Sequence, residues 1–184
     1  TLMMNGYHKV ARNYILYREK HAQARQEKNF QLIKENTLKI KVSESETTVY
    51  NPAQIEEYFR RISFDLYKIS ISDMVNSVTS NVYDNIPQVE LDQLVLNAVR
   101  ERIEQHYQYS LLSSRIVLDR LYIDILKTGI SESNLATAYK AEFKQYIQTG
   151  IELNLLNPEL SSFNLETLSN AIQIKNDHLF HNLG

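Results

Sequence analysis

The spacing of apolar side chains changes in one region of the chain, and this change limits the possible fold more than any other feature. From Leu38 to Tyr50 apolar and polar residues alternate in two short runs, LKIKV and ETTVY, on either side of the polar stretch SES. Such alternation is typical of β-strands. Before and after this region the apolar residues recur at the spacing of one helical face. The sequence therefore predicts a mainly α (α+β) protein with a short β-hairpin.

Four amphipathic helices are predicted to follow the hairpin and to complete a compact unit over residues 37–127. The first opens with Asn51 and Pro52, which are favoured as an N-cap and as a first helical residue. The second starts near Asp73, the third after the sequence DNIP, and the fourth at Tyr109. Apolar residues at helical spacing mark the faces expected to be buried: Ile55, Tyr58, Phe59, Ile62, Leu66, Met74, Val78, Leu91, Val95, Leu112 and Ile116.

Further helical patterns flank this unit on both sides. Residues 1–25 contain an amphipathic helix in which Val10, Tyr14 and Tyr17 share one face, and the polar residues 26–36 are interpreted as a fraying end and a linker. The stretch KTGISES then separates residues 128–184, with Gly129 as the expected C-cap and Ser131 or Ser133 as the expected N-cap of the next helix. Two more helical patterns follow, so a piece of a larger protein is expected.

Composition excludes several kinds of chemistry. The chain has no cysteine, so it cannot form a disulfide, a thiolate zinc site or a cysteine nucleophile. A net charge of -2 gives no overall attraction to nucleic acid. No apolar run approaches the ~20 residues of a membrane span and no signal peptide is recognisable. We therefore expect a cytoplasmic protein without a nucleic-acid or membrane partner, and we identify no catalytic residues and no metal site.

The fourth helix of the compact unit carries a pattern that resembles a known family. Its residues Tyr109, Leu112, Ser113, Ser114, Arg115 and Ile116 match a Tyr-x-x-Leu-Ala-Ala-Arg-Ile helix. In the large (α) subunit of class I ribonucleotide reductase, such a helix closes an ATP-cone, a regulatory nucleotide-binding module. The downstream sequence EFKQYIQTGIELNLLNPELSSFNLETLSNAI is similar to the first helices of the catalytic region of that subunit.

This resemblance implies a division of the chain into four parts. Residues 37–127 would form a cone, and residues 128–184 the helical start of the catalytic region. Ala11 and Arg12 match Ser114 and Arg115 of the fourth helix. Residues 1–25 therefore resemble the last helix of a preceding cone. Residues 26–36 would then link two cones in one array, and the earlier cone is the better candidate for sensing nucleotide.

The family also implies a function. Ribonucleotide reductase makes deoxyribonucleotides with cysteines of its α subunit and a radical from a partner β subunit. A cone binds ATP or dATP as allosteric effector and controls activity, commonly through oligomeric state. This chain would be a regulatory or assembly region without catalysis or a cofactor of its own, and its partners would be other α subunits and the β subunit. The alternative is a free-standing helical interaction or regulatory domain that is similar to a cone only in topology.

The hairpin differs from the pattern that the resemblance implies for nucleotide binding. Active cones carry Lys-Arg-x-Gly at this turn, whereas this chain has KIKVSESE, with Lys39 and Lys41 on alternate strand positions and two glutamates after them. Where active cones offer Thr and His at the start of the third helix, this chain has Gln88 and Asp92. We therefore predict a degenerate cone, with Lys39 and Lys41 as the phosphate ligands if binding survives. The favoured interpretation of the two lysines is protection of a sheet edge.

Other candidate residues are interpreted as structural. His178 and His181 are three positions apart and could bind a metal, but packing or surface positions are favoured. Arg60 and Arg61 are expected on a solvated face, with an anion or partner contact as the alternative. Arg115 is expected in a buried or capping ion pair rather than at a ligand. The twelve tyrosines are interpreted as packing residues rather than a radical relay.

Overall fold

The computed structural model of the chain describes residues 7–130 and 132–181, apart from the side chain of Arg25. Contacts between Cα atoms divide these residues into two units. Unit 1 comprises residues up to 56 together with 72–98, and unit 2 comprises 57–71 together with the residues from 99 onward. Whether residues 37–127 act as one functional module stays a prediction.

Unit 1 contains a three-stranded sheet and the helices around it. Its elements in chain order are α1 (His8–Lys34), β1 (Lys39–Lys41), β2 (Thr47–Val49), the first turn of α2 (Pro52–Ile62), α3 (Ile71–Asn81), β3 (Ile86–Pro87) and most of α4 (Gln88–Arg100). Strand β1 pairs antiparallel with β2, so the predicted hairpin is confirmed. It also pairs in parallel with β3, which was not predicted because two residues are too short to show an alternating pattern.

The alternation of the hairpin separates a buried from an exposed side. Ile40 lies on the buried side of β1 and pairs with Ile86 of β3, and both are at most 6% exposed. The ring of Tyr50, directly after β2, is also buried, and its hydroxyl forms a hydrogen bond of 3.0 Å with Thr79 Oγ1 of α3. The other buried apolar residues of unit 1 from the hairpin onward are Leu38, Met74, Val78, Val82, Leu91, Val95, Leu96 and Ala98.

Helix α1 is longer than the sequence predicted. Residues 26–34 continue the helix, whereas the polar composition of 26–36 favoured a fraying end and a linker. The helix ends before Asn36, which has a φ of 56°, a left-handed conformation that asparagine tolerates well. Gln, Glu, Lys and Leu supply most of this stretch, and these residues have high intrinsic helix propensity. A polar stretch of this composition can therefore be helical, and its polarity was not sufficient evidence for a linker.

The two halves of α1 have different surroundings. In the second half, Asn29 Nδ2 donates a hydrogen bond of 2.8 Å to the carbonyl oxygen of Val82 at the end of α3. In the first half, the predicted apolar face is exposed to solvent: Val10, Tyr14 and Tyr17 are 54–61% exposed, and only Ala11 is buried. The first half of α1 thus presents a solvent-exposed aromatic face, whose rings contact neighbours within the helix: Tyr17 lies against His21 and Tyr14 against Arg18.

The secondary-structure elements among the described residues of unit 2 are all helices. After the end of α2 it contains α5 (Tyr107–Leu126), α6 (Leu135–Glu152), a 3-10 helix (Pro158–Ser162), α7 (Leu165–Ala171) and a second 3-10 helix (Ile174–Leu179). The predicted helices of this region are present. The buried side chains include Phe59, Ile62, Val99, Tyr109, Leu112, Ile116 and Tyr122. Packing accounts for the tyrosines in this set, but many others are exposed: Tyr7, Tyr14, Tyr17, Tyr67, Tyr83, Tyr107 and Tyr146.

The predicted caps between α5 and α6 are wrong. Helix α5 ends at Lys127, which takes the left-handed conformation at a φ of 55°, and not at Gly129. Helix α6 has Asn134 as its N-cap and not Ser133, while Ser131 lies outside the described residues. Gly129 has a different role, because a Cβ atom there would lie 2.9 Å from the buried Asp119 carboxylate. The glycine is needed for close approach rather than for a positive φ.

Replacing Phe59 with alanine is expected to lower the free energy of unfolding by about 3–5 kcal/mol, because the ring is fully buried and its removal leaves a cavity. Chemical denaturation followed by circular dichroism measures this change. The matched control is Phe163→Ala, since Phe163 is 57% exposed and should change stability far less. Equal effects of the two substitutions would contradict the burial of Phe59.

Candidate functional site

The exposed face of the sheet carries the residues that were predicted to contact nucleotide. Lys39 and Lys41 lie on this face of β1, where Lys39 is paired with Val49 and Lys41 with Thr47 of β2. The strand order β2-β1-β3 makes β1 the central strand. Both lysines are solvent-facing as expected, but the interpretation that they protect a sheet edge is wrong.

The start of α4 adjoins the same strand. Pro87 of β3 pairs with Lys41, and α4 begins at the next residue, Gln88. Gln88 Nε2 donates a hydrogen bond of 2.8 Å to Asp92 Oδ1, one turn further along the helix. The fold thus brings Lys41 close in register to the position that the resemblance assigned to nucleotide contacts. Gln88 and Asp92, the two polar side chains expected at that position, are hydrogen-bonded to each other.

The hairpin turn uses its own backbone donors. The amides of Val42 and Ser43 both donate to the carbonyl oxygen of Glu46, at 2.9 and 3.2 Å. Residues 42–46 contain no glycine and no residue with a positive φ. A phosphate-binding turn needs backbone N–H groups that point outward, which glycine commonly permits. This turn does not offer the amides of Val42 and Ser43 to a ligand.

Carboxylates surround the strand. Glu44 and Glu46 lie in the hairpin turn, and Asp84 Oδ1 accepts a hydrogen bond of 3.0 Å from the backbone N–H of Lys39. On α4, Glu90 accepts a hydrogen bond of 2.6 Å from the hydroxyl of Tyr83, and this bond raises the pKa of Tyr83. Like charges repel, so these carboxylates disfavour a bound triphosphate unless a metal neutralises it. The two lysines could still attract a single phosphate group.

The residues of α5 that match the family pattern form a second site. Leu112 and Ile116 are fully buried, and the small Ser113 is also fully buried. Tyr109 and Arg115 instead hold the loop that follows α2. The hydroxyl of Tyr109 accepts a hydrogen bond of 2.9 Å from the backbone N–H of Ser70. The motif therefore combines an apolar packing face with two side chains that fix a loop.

Arg115 lies at the centre of this site. Its side chain is 3% exposed and forms two hydrogen bonds with Asp65, the Nη2–Oδ2 distance being 3.1 Å. Nη1 also lies 3.3 Å from the carbonyl oxygen of Ile62, and the guanidinium lies 4.9 Å from the centre of the Phe64 ring. The bonds from Arg115 lower the pKa of the Asp65 carboxyl. The expected buried ion pair at Arg115 is confirmed.

A second charged cluster was missed by sequence reasoning. Asp119 is 1% exposed and accepts a hydrogen bond of 2.7 Å from the backbone N–H of Ile130. Arg61 lies 4.0 Å from Asp119 and 3.5 Å from Glu132, and its guanidinium lies 5.6 Å from the centre of the Tyr58 ring. Arg61 is therefore in an ion-pair cluster rather than on a simply solvated face. The sequence offered no signal for it, because its members are far apart along the chain.

The two histidines do not lie on one helical face. The second 3-10 helix ends at Leu179, so His181 is outside it and is exposed. The ring of His178 packs edge-on against Phe64, with 5.6 Å between ring centres. Packing is thus confirmed for His178. Within residues 7–130 and 132–181 no group of three or more metal-ligating side chains is close enough to hold a metal ion, and no helix there could span a membrane.

Asp65→Asn is expected to lower the free energy of unfolding by about 1–3 kcal/mol at neutral pH, because the buried guanidinium of Arg115 loses its counter-charge while water reaches the half-exposed residue 65. Denaturation of wild type and variant measures the difference. The folded state lowers the pKa of Asp65, so this stabilisation is present above about pH 4 and decreases as the pH falls further. Asp124→Asn, at an exposed position of α5, is the control and should show no comparable loss.

Three curated proteins are similar to this chain over its full length. They are ribonucleoside-diphosphate reductase alpha subunits of Chlamydia pneumoniae (29% identical over 189 residues), Chlamydia muridarum (28% over 190) and Chlamydia trachomatis serovar D (26% over 190). The chain spans 18% of the length of each of these relatives. No protein-family profile matches the chain. The resemblance to a ribonucleotide reductase large subunit that the sequence predicted is therefore confirmed.

Proposed function

We propose that this chain is a regulatory region of a ribonucleoside-diphosphate reductase α subunit, an enzyme that makes deoxyribonucleotides. The observation that carries the proposal is the similarity of the whole chain to three such subunits. The chain spans a small part of those relatives, so the chemistry of the reductase is assigned to the parent protein. Its expected setting is the cytoplasm, and its expected partners are other α subunits and a β subunit.

Within that region, residues 37–127 act as a degenerate ATP-cone. The hairpin, the helices that follow it and the Tyr109–Ile116 motif support this assignment. The occupied amides of Val42 and Ser43 and the carboxylates around β1 argue against tight binding of a triphosphate. The function that remains for such a module is assembly. It would contribute surfaces and spacing to an α subunit whose nucleotide sensing resides elsewhere.

The first half of α1 fits the same proposal. Its aromatic face would be covered by a preceding cone, of which this helix is the last element. Arg12, which occupies the position of Arg115 in the motif, is exposed here, whereas Arg115 is buried against Asp65. A preceding cone would supply a loop and a carboxylate to Arg12, as the loop after α2 and Asp65 do for Arg115. The alternative function, a free-standing helical interaction domain, would leave this face for an unrelated partner.

The chain is expected not to bind ATP or dATP at micromolar concentrations. The physical reason is the excess of carboxylates over lysines around β1 and the use of the turn amides within the hairpin. Isothermal titration calorimetry of the chain with each nucleotide, in the presence of Mg²⁺, tests this. Heat that saturates at micromolar nucleotide would contradict the degenerate cone.

The same titration distinguishes two explanations of any binding that is found. If Lys39 and Lys41 are the phosphate ligands, the double variant Lys39→Gln, Lys41→Gln should lose it. The matched control is Lys140→Gln with Lys175→Gln, which removes the same charge from unit 2. Equal losses in both double variants would indicate a general effect of net charge.

The coding sequence around this chain tests the wider proposal. A regulatory region of a reductase should continue past Gly184 for several times the length of this chain, because the relatives are far longer. That continuation should contain the redox cysteines which the chain lacks. A stop codon shortly after Gly184 would exclude the reductase and favour the free-standing domain.

A further inference from the structure

The end of the described chain packs on α5. Residues 172–181, the C-terminal segment, contain the second 3-10 helix, which packs on α5. The hydroxyl of Tyr122 on α5 donates a hydrogen bond to Asp177 Oδ2. The other specific contact is the ring of His178 against Phe64. Of the large apolar side chains of the segment, Ile172 and Ile174 are half-buried, whereas Leu179 and Phe180 are 68% and 58% exposed. Asp177 and His178 therefore supply specific side-chain contacts of the segment, to Tyr122 and to Phe64.

The surroundings of His178 suit a neutral ring and not a charged one. Its Nδ1 atom is buried and has no hydrogen-bond partner among the described residues. In a neutral histidine one ring nitrogen carries no hydrogen, so this nitrogen can stay unpaired at a moderate cost. In the charged ring both nitrogens carry a hydrogen. Keeping the charged ring in place would then cost free energy for two reasons: the charge is buried, and a buried N–H group has no acceptor.

The neighbouring charges do not compensate. Arg115 of α5 faces the same Phe64 ring as His178 and adds a permanent positive charge. The nearby carboxylates are already engaged, Asp65 by Arg115 and Asp177 by the hydroxyl of Tyr122. Burial and the charge of Arg115 lower the pKa of His178, and they outweigh the opposing effects of Asp65 and Asp177. Burial also raises the pKa of Tyr122, which stays neutral throughout.

We propose that the C-terminal segment is a pH-sensitive latch, which packs on α5 while His178 is neutral and detaches when His178 takes up a proton. Detachment would expose the side of α5 that carries the buried Tyr122, next to Phe64, which is already 60% exposed. The latch does not require nucleotide binding and is independent of the proposed reductase function.

The direction of the effect follows from proton linkage. The detached ring has the ordinary pKa of about 6.5, and the attached ring has a lower pKa. Above that ordinary value both forms are neutral and the attachment is at full strength. As the pH falls below it, the detached form binds a proton first, so attachment weakens until the pH reaches the lower value. Arg115 lowers the pKa of the Asp65 carboxyl, so Asp65 titrates in more acidic solution and does not drive this change.

A spin label tests the latch directly. The chain has no cysteine, so Leu179→Cys gives one labelling site, at a position that is 68% exposed and need not disturb the packing. Electron paramagnetic resonance of the nitroxide-labelled 184-residue chain reports how mobile the segment is. The mobile fraction is expected to rise at least about threefold between about pH 7.5 and about pH 5.5. No rise in this range would overturn the proposal.

Substitutions separate His178 from other titrating groups. His178→Gln should stay attached and lose the pH response, whereas the control His181→Gln, at an exposed position, should keep it. If the label on the His178→Gln variant is already mobile at neutral pH, the His178→Phe variant is used instead, because phenylalanine retains an aromatic ring against Phe64. A pH response that persists in the uncharged variant would also overturn the latch. Tyr122→Phe should raise the mobile fraction at neutral pH while the response to acid remains.

Discussion

The buried guanidinium of Arg115 is the constraint on which unit 2 depends. A fixed positive charge cannot be neutralised by losing its proton, so it must be paired wherever it is buried. Asp65 supplies the counter-charge and the carbonyl oxygen of Ile62 a further acceptor. Both belong to the end of α2 and the loop after it. Once Arg115 points inward from α5, that loop has to follow α5, and Tyr109 fixes its far end at Ser70.

The same constraint accounts for the character of the C-terminal segment. Phe64 covers the guanidinium, and His178 packs against Phe64, so the segment lies over a site that already holds a positive charge. A lysine or arginine at position 178 would add a second permanent charge there. A histidine satisfies the packing while it is neutral and opposes it when charged. The site beneath the segment thus disfavours a positive charge at position 178.

Local patterns predicted the elements of the fold well, and contacts between distant residues were predicted poorly. The hairpin was evident because Ile40 and its neighbours alternate, and the N-terminus of α2 because Asn51 precedes proline; Asn51 Oδ1 accepts from the N–H of Ala53, 3.0 Å away. Strand β3 gave no signal, since its pairing to β1 depends on residues more than forty positions away. The cluster of Arg61 with Asp119 depends likewise on chain folding. Such interactions are specified by topology and not by spacing.

The candidate nucleotide face shows why a fold can be kept while a ligand site is not. The buried side of the sheet needs only apolar residues such as Ile40 and Ile86, and these form the same contacts whatever lies on the opposite side. The exposed side has no packing to maintain, so Lys39 and Lys41 are free of structural demands there. Binding a triphosphate needs outward amides and a local excess of positive charge, whereas the turn uses two amides internally and adds two glutamates. The packing of the sheet and the chemistry of its exposed face are therefore separable.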